Sequence, residues 1–223
     1  MAGYCVLPEW AKWLNTDCRC LWIHSIPGAG KTVLASFLIE TIEEHCSQLP
    51  EGKRAWAYYY CYFGRSQDEA TPFLRCIVSQ LCRQTDFVPD VVQKLYRRAG
   101  EPDLVDLLTA IEAIIERCEV VYVIIDAVDE SSPRDDLLKV IRDLATDSRL
   151  SKIQVLVTSR EYVDIERTME DISKSVPMSN PKVEEDIRLH VRSNLHSNHK
   201  FKRWSEDLLN EVEDAVSTGA RGM

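Results

Sequence analysis

One decapeptide constrains the chain more than any other feature: Ile23-His24-Ser25-Ile26-Pro27-Gly28-Ala29-Gly30-Lys31-Thr32. Leu21-Trp22-Ile23 leads into it as a short buried strand. Behind it, Val33, Leu34, Phe37, Leu38, Ile42 and Cys46 recur at helical spacing from Lys31 to Cys46. The turn between strand and helix follows G-x-x-x-x-G-K-[ST] except at its first position, where Ser25 stands in place of glycine. In such a loop the backbone N–H groups curl around phosphates, the lysine reaches the β and γ oxygens, and the hydroxyl meets magnesium. The helix N-terminus adds partial positive charge beneath them. The candidate nucleotide-contacting residues are therefore Pro27, Gly28, Ala29, Gly30, Lys31, Thr32 and Val33, with Thr32 also a candidate metal ligand. The missing glycine raises the question of strain at the exit from the strand.

The rest of the chain alternates strands with helices, the pattern of a parallel sheet covered on both faces. Strands are expected at Leu21–Ser25, Ala55–Tyr62, Val120–Ile125, Ile153–Thr158 and Ser175–Met178. Val-Val-Tyr-Val-Ile-Ile is apolar without alternation, as required where both faces are buried. Between the second and third strands the spacing predicts two helices, one capped by Thr71 ahead of Pro72, the other opened by Pro102. A further helix starts at Ser132-Pro133, and the polar stretch Gly64–Ala70 reads as a mobile loop. After Asn180-Pro181 only helical patterns remain, Val183–Leu195 and Trp204–Ser217. The expected division is a lead-in over 1–20, a nucleotide-binding core over 21–180 and a partial helical lid over 181–223.

A phosphate loop alone binds; switching or chemistry also needs an acid for the metal and a group that handles water. The third strand ends in Asp126-Ala127-Val128-Asp129-Glu130. An acid at the tip of a buried parallel strand lies at the carboxyl edge of the sheet, where ligands of open α/β sheets collect. Asp126 is thus the candidate to hold magnesium through water, opposite Thr32. Asp129 and Glu130 are candidates to orient or deprotonate an attacking water, and spacing does not separate them. The fourth strand ends in Thr158-Ser159-Arg160. Arg160 either caps the strand at the surface or, with the other two motifs present, senses a γ-phosphate through a charge-assisted hydrogen bond.

A formal charge of -9 argues against a dedicated nucleic-acid binder, whose affinity would rest on a basic surface. No apolar run approaches the ~20 residues of a membrane span, and the first residues lack the pattern of a signal peptide, so the expected compartment is the cytoplasm. The eight cysteines include no C-x-x-C pair and read as reduced, mostly buried thiols.

The three motifs, with Trp22-Ile23-His24 leading the first, resemble the NACHT branch of the STAND signal-transduction P-loop NTPases, and in particular the nephrocystin-3-like N-terminal domains of fungal NLR-like proteins. The small residue after the metal-binding acid, Ala127, followed by Asp129-Glu130 carries that branch's mark. The likeness extends to Trp10–Leu14, Tyr58-Tyr59-Tyr60, Asp186-Ile187 and Ala220–Met223. It implies an α/β fold of the ASCE/AAA+-like kind, with five parallel strands in the order 5-1-4-3-2, flanking helices and a truncated helical lid. It implies ATP/ADP or GTP/GDP with Mg2+ as ligands, and slow hydrolysis. It further implies a switch in which nucleotide exchange and self-association couple C-terminal ankyrin, WD40 or TPR repeats, absent from these residues, to an effector in innate-immunity-like signalling. A scaffold that holds a structural nucleotide, or none, is the alternative.

Overall fold

A computed structural model of the chain describes residues 8–15, 18–48, 53–178, 181–198, 201 and 204–220. The strands are β1 (Cys20–His24), β2 (Arg54–Tyr60), β3 (Val120–Asp126), β4 (Ile153–Ser159) and β5 (Lys174–Pro177). They form a single sheet in the order β2-β3-β4-β1-β5, the order expected from the resemblance, read from the opposite edge. The β2–β3, β3–β4 and β4–β1 pairs are parallel. Because β3 and β4 lie inside the sheet with both faces covered, all seven residues of each are buried, whereas the edge strand β2 alternates.

Helices α1 (Pro8–Leu14), α2 (Lys31–Ser47), α3 (Ala70–Gln84), α4 (Asp90–Arg97), α5 (Leu104–Ile115), α6 (Asp135–Thr146) and α7 (Val163–Glu170) accompany the sheet. Val121, Val123 and Ile125 of β3 join one continuous core with Phe73, Leu74 and Ile77 of α3, Ile111 and Ile114 of α5, and Leu137 and Ile141 of α6. Tyr122, one residue out of phase, faces the other way. Its ring lies 5.3 Å from that of Trp13 in α1, and its hydroxyl donates to the carbonyl of Leu14. Trp13 is fully buried and donates its indole N–H to the carbonyl of Val155 at 2.8 Å, so the lead-in helix is part of the core.

The free edge of β2 is closed by side chains. Gln84 accepts from Trp56 N–H at 2.9 Å and donates to its carbonyl at 2.6 Å; Gln80 does the same for Tyr58 at 3.1 and 2.8 Å. Two amides one helical turn apart on α3 thereby pair with alternate residues of the strand, as a neighbouring strand would.

Several local expectations are revised. Three helices, not two, separate β2 from β3; the additional one, α4, is eight residues long and turns only half-buried residues, Val91, Val92 and Leu95, inward. Helix α3 opens at Ala70 rather than being capped by Thr71, because Asp68 accepts the Ala70 N–H at 2.9 Å. Helices α5 and α6 begin at Leu104 and Asp135, slightly beyond Pro102 and Ser132-Pro133, with Asp103 and Asp106 forming a capping box on α5. The polar 64–70 stretch is pinned: Glu69 is fully buried, accepts from the Tyr59 hydroxyl and pairs with Arg65.

The chain divides into two compact units, one of residues 1–24 with 31–176, the other of 25–30 with 177–223. The second contains α8 (Pro181–Ser197) and α9 (Glu206–Ala220), joined by a two-point contact from Arg192 to the nearly buried Glu213 at 2.8 and 2.9 Å. Asn180 and residues 221–223, on which parts of the sequence reading fall, lie outside the described residues.

Candidate functional site

The loop that leaves β1 owes its path to two glycines. Gly28 and Gly30 have φ of 76° and 86°, a region that costs an L-residue roughly 1–2 kcal/mol. Ser25 is not among the positive-φ residues, so a side chain is tolerated where glycine is usual and the anticipated strain is absent. Ser25 and Ala29 are buried, whereas Ile26, Pro27 and Gly28 are exposed.

On the first unit, Lys31, Thr32 and Val33 form the first turn of α2, with Lys31 half-buried and the other two exposed. Burial lowers the pKa of the Lys31 ammonium, and the charges acting on it are those of Asp129, Arg160, Asp126 and Glu130. These four residues come from the ends of β3 and β4 and the segments just beyond them. The topology explains the convergence: β4 lies between β1 and β3, so the carboxyl ends of all three strands open on one edge.

Asp126 ends β3 and is buried. Its carboxylate accepts from the hydroxyl of Thr158 on β4, and the same Thr158 oxygen accepts the Ala127 N–H at 3.0 Å. Ala127 stands in the left-handed region with φ 57°, and this turns the chain into a short 3-10 helix, Val128–Glu130. That helix gives the two following acids different partners. Asp129 accepts the Arg160 backbone N–H at 2.9 Å and pairs with its Nε at 3.1 Å, its own side chain only 4% exposed against 41% for Arg160. Glu130 has, among the described residues, one long hydrogen bond, accepting from Phe63 N–H at 3.4 Å. Phe63, Ser66, Asp129, Glu130, Ser132, Arg160 and Tyr162 line a cleft of about 370 Å³.

The sequence singled out Lys31, Asp126, Asp129, Glu130 and Arg160 for this site, and the structure brings them together. Pro27 to Gly30 fall on the second unit. Phe63 and Tyr162 carried no chemical signal in the sequence, since an exposed aromatic in a loop marks no site until the fold brings it to one. Thr158 was quoted only as the lead to Arg160, although a hydroxyl on the strand beside the acid could have been read as its partner. Thr32 and Asp126 offer hard oxygen donors of the kind magnesium takes, and two protein oxygens suit an ion that keeps waters and phosphate oxygens. Among the described residues no group of three or more His, Cys, Asp or Glu side chains could hold a metal unaided, so the donor set fits a shared ion and not a self-contained centre.

Residues 6–160 match the family model described as Nephrocystin 3, N-terminal. The chain belongs to the nephrocystin 3 N-terminal family. Within this nephrocystin-3-like, NACHT-type domain the matched span runs from the lead-in helix to Arg160 and so takes in all three motifs. The domain is 30% identical over 173 residues to vegetative incompatibility protein HET-E-1 of Podospora anserina, covering 73% of this chain and 12% of that relative. The chain thus spans about an eighth of the curated relative. Its fold is similar to that of Cdc6p from Pyrobaculum aerophilum (13% identity, TM-score 0.51, 92% of this chain and 51% of that one). It is similar also to the Walker-type ATPase PABY2304 of Pyrococcus abyssi (13%, 0.51, 96% and 62%). At such identities the likeness establishes the fold alone. Among the described residues, no helix is long and apolar enough to cross a membrane.

Proposed function

We propose that this nephrocystin-3-like domain is a nucleoside-triphosphate switch that binds ATP or GTP with magnesium and hydrolyses it slowly, as one module of a longer cytoplasmic signalling protein. The observation that carries the reading is the meeting of Lys31 with Asp126, Asp129, Glu130 and Arg160 at one sheet edge. A half-buried ammonium among three carboxylates and a guanidinium is costly as a packing device, and it is the charge arrangement that phosphoryl transfer uses.

In this reading, the backbone N–H groups of Lys31 and Thr32 at the start of α2 hold the phosphates and Lys31 reaches the β and γ oxygens. Thr32 and, through water, Asp126 would hold magnesium, which when bound supplies charge neutralisation between those oxygens. Arg160, lining the cleft, contacts the γ-phosphate. Asp129 is committed to Arg160 and fixes its direction. Glu130, held loosely by the Phe63 N–H, orients a water and accepts its proton as the water oxygen bonds to the γ-phosphorus and the bond from that phosphorus to the departing nucleoside diphosphate breaks. The scaffold alternative drew its support from Ser25, and a serine outside the positive-φ region gives it none. The 30% identity to a vegetative incompatibility protein supports a role in signalling, and the proposal extends to self-association of the full-length protein.

The test is calorimetric titration of ATP and GTP with magnesium into the parent and Lys31→Ala, together with identification of the nucleotide released on denaturing the purified protein. Binding by the parent and its loss in Lys31→Ala is the expected result. No binding by the parent, or equal binding by both, overturns the proposal.

A further inference from the structure

The last residue of β1 makes contacts that the nucleotide reading does not use. His24 is buried, yet its imidazole reaches out from β1 to two other chain segments. Its Nε2 lies 2.7 Å from Ser175 Oγ on β5, and its Nδ1 sits against the Glu161 carboxylate without hydrogen-bond alignment. Glu161 adjoins Arg160. The neighbouring inward-facing residue of β1 is directed the same way: Trp22 donates its indole N–H to Ser159 Oγ at 2.8 Å, and that hydroxyl donates to the Arg160 carbonyl at 2.9 Å. The two rings lie 4.2 Å apart and support each other.

Packing alone does not call for these side chains. An apolar residue at position 24 would fill the space without bringing a polar ring into a buried site, where each unpartnered polar atom costs roughly 1–3 kcal/mol. The polar groups of Trp22 and His24 engage Ser159, Glu161 and Ser175, and two of these flank Arg160 in the chain. On its other side Arg160 is held by Asp129. The arginine is therefore fixed from both flanks, by the turn after β3 and by the end of the strand that leads into the phosphate loop.

We propose that His24 is a positioning residue for Arg160: through Glu161 and Ser175, and in concert with Trp22 and Ser159, it locks the 159–161 segment so that the guanidinium is presented in one place. A consequence is mechanical linkage, because the residue that ends β1 and precedes the phosphate loop also fixes the residue assigned to read the γ-phosphate. The proposal rests on Arg160 being that reader.

Its test has one readout that needs no nucleotide and one that does. Backbone hydrogen exchange at Arg160 and Glu161 is followed in the parent, His24→Ala, His24→Gln and Glu161→Gln, and the diphosphate-to-triphosphate ratio of dissociation constants is measured with ADP, GDP, ATPγS and GTPγS. In His24→Ala the Arg160 amide is expected to exchange about tenfold faster or more, with amides in β3 unchanged. Triphosphate preference is expected to fall by roughly three- to tenfold, with diphosphate affinity held within about twofold. His24→Gln, which keeps a polar group within reach of Ser175, should recover part of both. Adding His24→Ala to Arg160→Ala should cause no further loss of preference, as required when one residue acts through the other. Unchanged exchange at Arg160 in both His24→Ala and Glu161→Gln overturns the proposal, as does an equal loss of affinity for di- and triphosphates. Faster exchange in His24→Ala beside an unchanged preference in Arg160→Ala overturns the assignment of Arg160 as the reader and supports its positioning by His24. Should His24→Ala fail to fold, Glu161→Gln alters an exposed residue outside the binding machinery and carries the same two measurements.

Discussion

Asp129 and Glu130 are adjacent acids that the proposed mechanism uses in opposite ways, and isosteric amides separate them. Asp129→Asn keeps an oxygen for the Arg160 N–H, now accepted at 2.9 Å, but loses the charged partner of Nε at 3.1 Å. A hydrogen bond to a charged group contributes about 1.5–3 kcal/mol, and the low end applies here because Arg160 is 41% exposed and regains water. A loss of about 1.5 kcal/mol in a chain of this size lowers the midpoint of thermal unfolding by roughly 3–6 °C. Glu130→Gln disturbs one contact, at 3.4 Å, so it should cost under about 0.5 kcal/mol and move the midpoint by less than about 2 °C. The activities should run the other way. Losing a general base slows hydrolysis by roughly 10²–10⁴, so Glu130→Gln should bind triphosphate with parental affinity and release almost no phosphate. Asp129→Asn should keep measurable turnover with a weakened preference for triphosphate. Scanning calorimetry and a phosphate-release assay on the same preparations decide the matter. If Glu130→Gln turns over at the parental rate while Asp129→Asn is thermally silent and inactive, the division of roles is reversed and the argument from partner geometry is refuted.

Three further outcomes follow from particular contacts. Burial lowers the Lys31 pKa below its unfolded value near 10.4, so the unfolded chain binds more protons between the two values and stability rises with pH through that window. Below it the charged lysine is carried at a cost, and Lys31→Met should melt slightly higher than the parent at pH 7.5, an advantage that fades toward pH ~10.5 and vanishes above it; a lower midpoint at pH 7.5 would contradict the sign. Thr158→Val leaves both the Ala127 N–H and the buried Asp126 carboxylate without their partner, and should cost about 2–4 kcal/mol in denaturant unfolding; a loss below 1 kcal/mol would show that water replaces the hydroxyl. Gln80→Leu with Gln84→Leu uncovers the β2 edge, and sedimentation velocity should reveal larger species than the parent forms at equal concentration; an unchanged distribution would show the amides to be dispensable there.

The sheet was legible because burial on two faces constrains composition: Val120 to Ile125 is apolar without alternation, Ile153 to Thr158 is apolar at Ile153 and from Val155 to Val157 with only Gln154 between them, and both are interior strands. The strand ends were legible for the same reason, since the first acid after such a run has to lie at the sheet edge, where Asp126 is. What escaped depended on partners far along the chain. Asp129 differs from Glu130 because Arg160, 31 residues later, claims it, and because Phe63 presents its N–H from the opposite side. Helix α4 escaped because it is only two turns long: Val91, Val92 and Leu95 give one short apolar face, too brief to be told from a loop by periodicity. The opening of α3 follows from Asp68, which accepts the Ala70 N–H and also, from its other oxygen, the Asp136 N–H at 3.0 Å at the start of α6.

The departure at Ser25 and the small residue at 127 exchange significance once backbone angles are known. Glycine is irreplaceable only where φ is positive, and Ser25 is not at such a position while Gly28 and Gly30 are. Non-glycine strain near the site sits at Ser66, φ 46°, in the cleft lining, and at Ala127, φ 57°, between the acid assigned to the metal and the two acids assigned to water and to Arg160. A left-handed residue there converts an extended strand into a helical turn within one residue, which is how Asp126, Asp129 and Glu130 can all act at one strand end. Alanine bears roughly 1–2 kcal/mol for that conformation, and the Thr158 hydroxyl that receives its N–H helps to hold it. Glycine would relieve the strain but would also free the unfolded chain by about 0.4–1 kcal/mol, so Ala127→Gly should stabilise by about 1 kcal/mol in denaturant unfolding, and a destabilisation would contradict the strain argument. A β-branched residue suffers in the left-handed region and has no room at a site only 9% exposed. The requirement for a small residue after the first acid is therefore conformational, and it fixes the geometry on which the rest of the site depends.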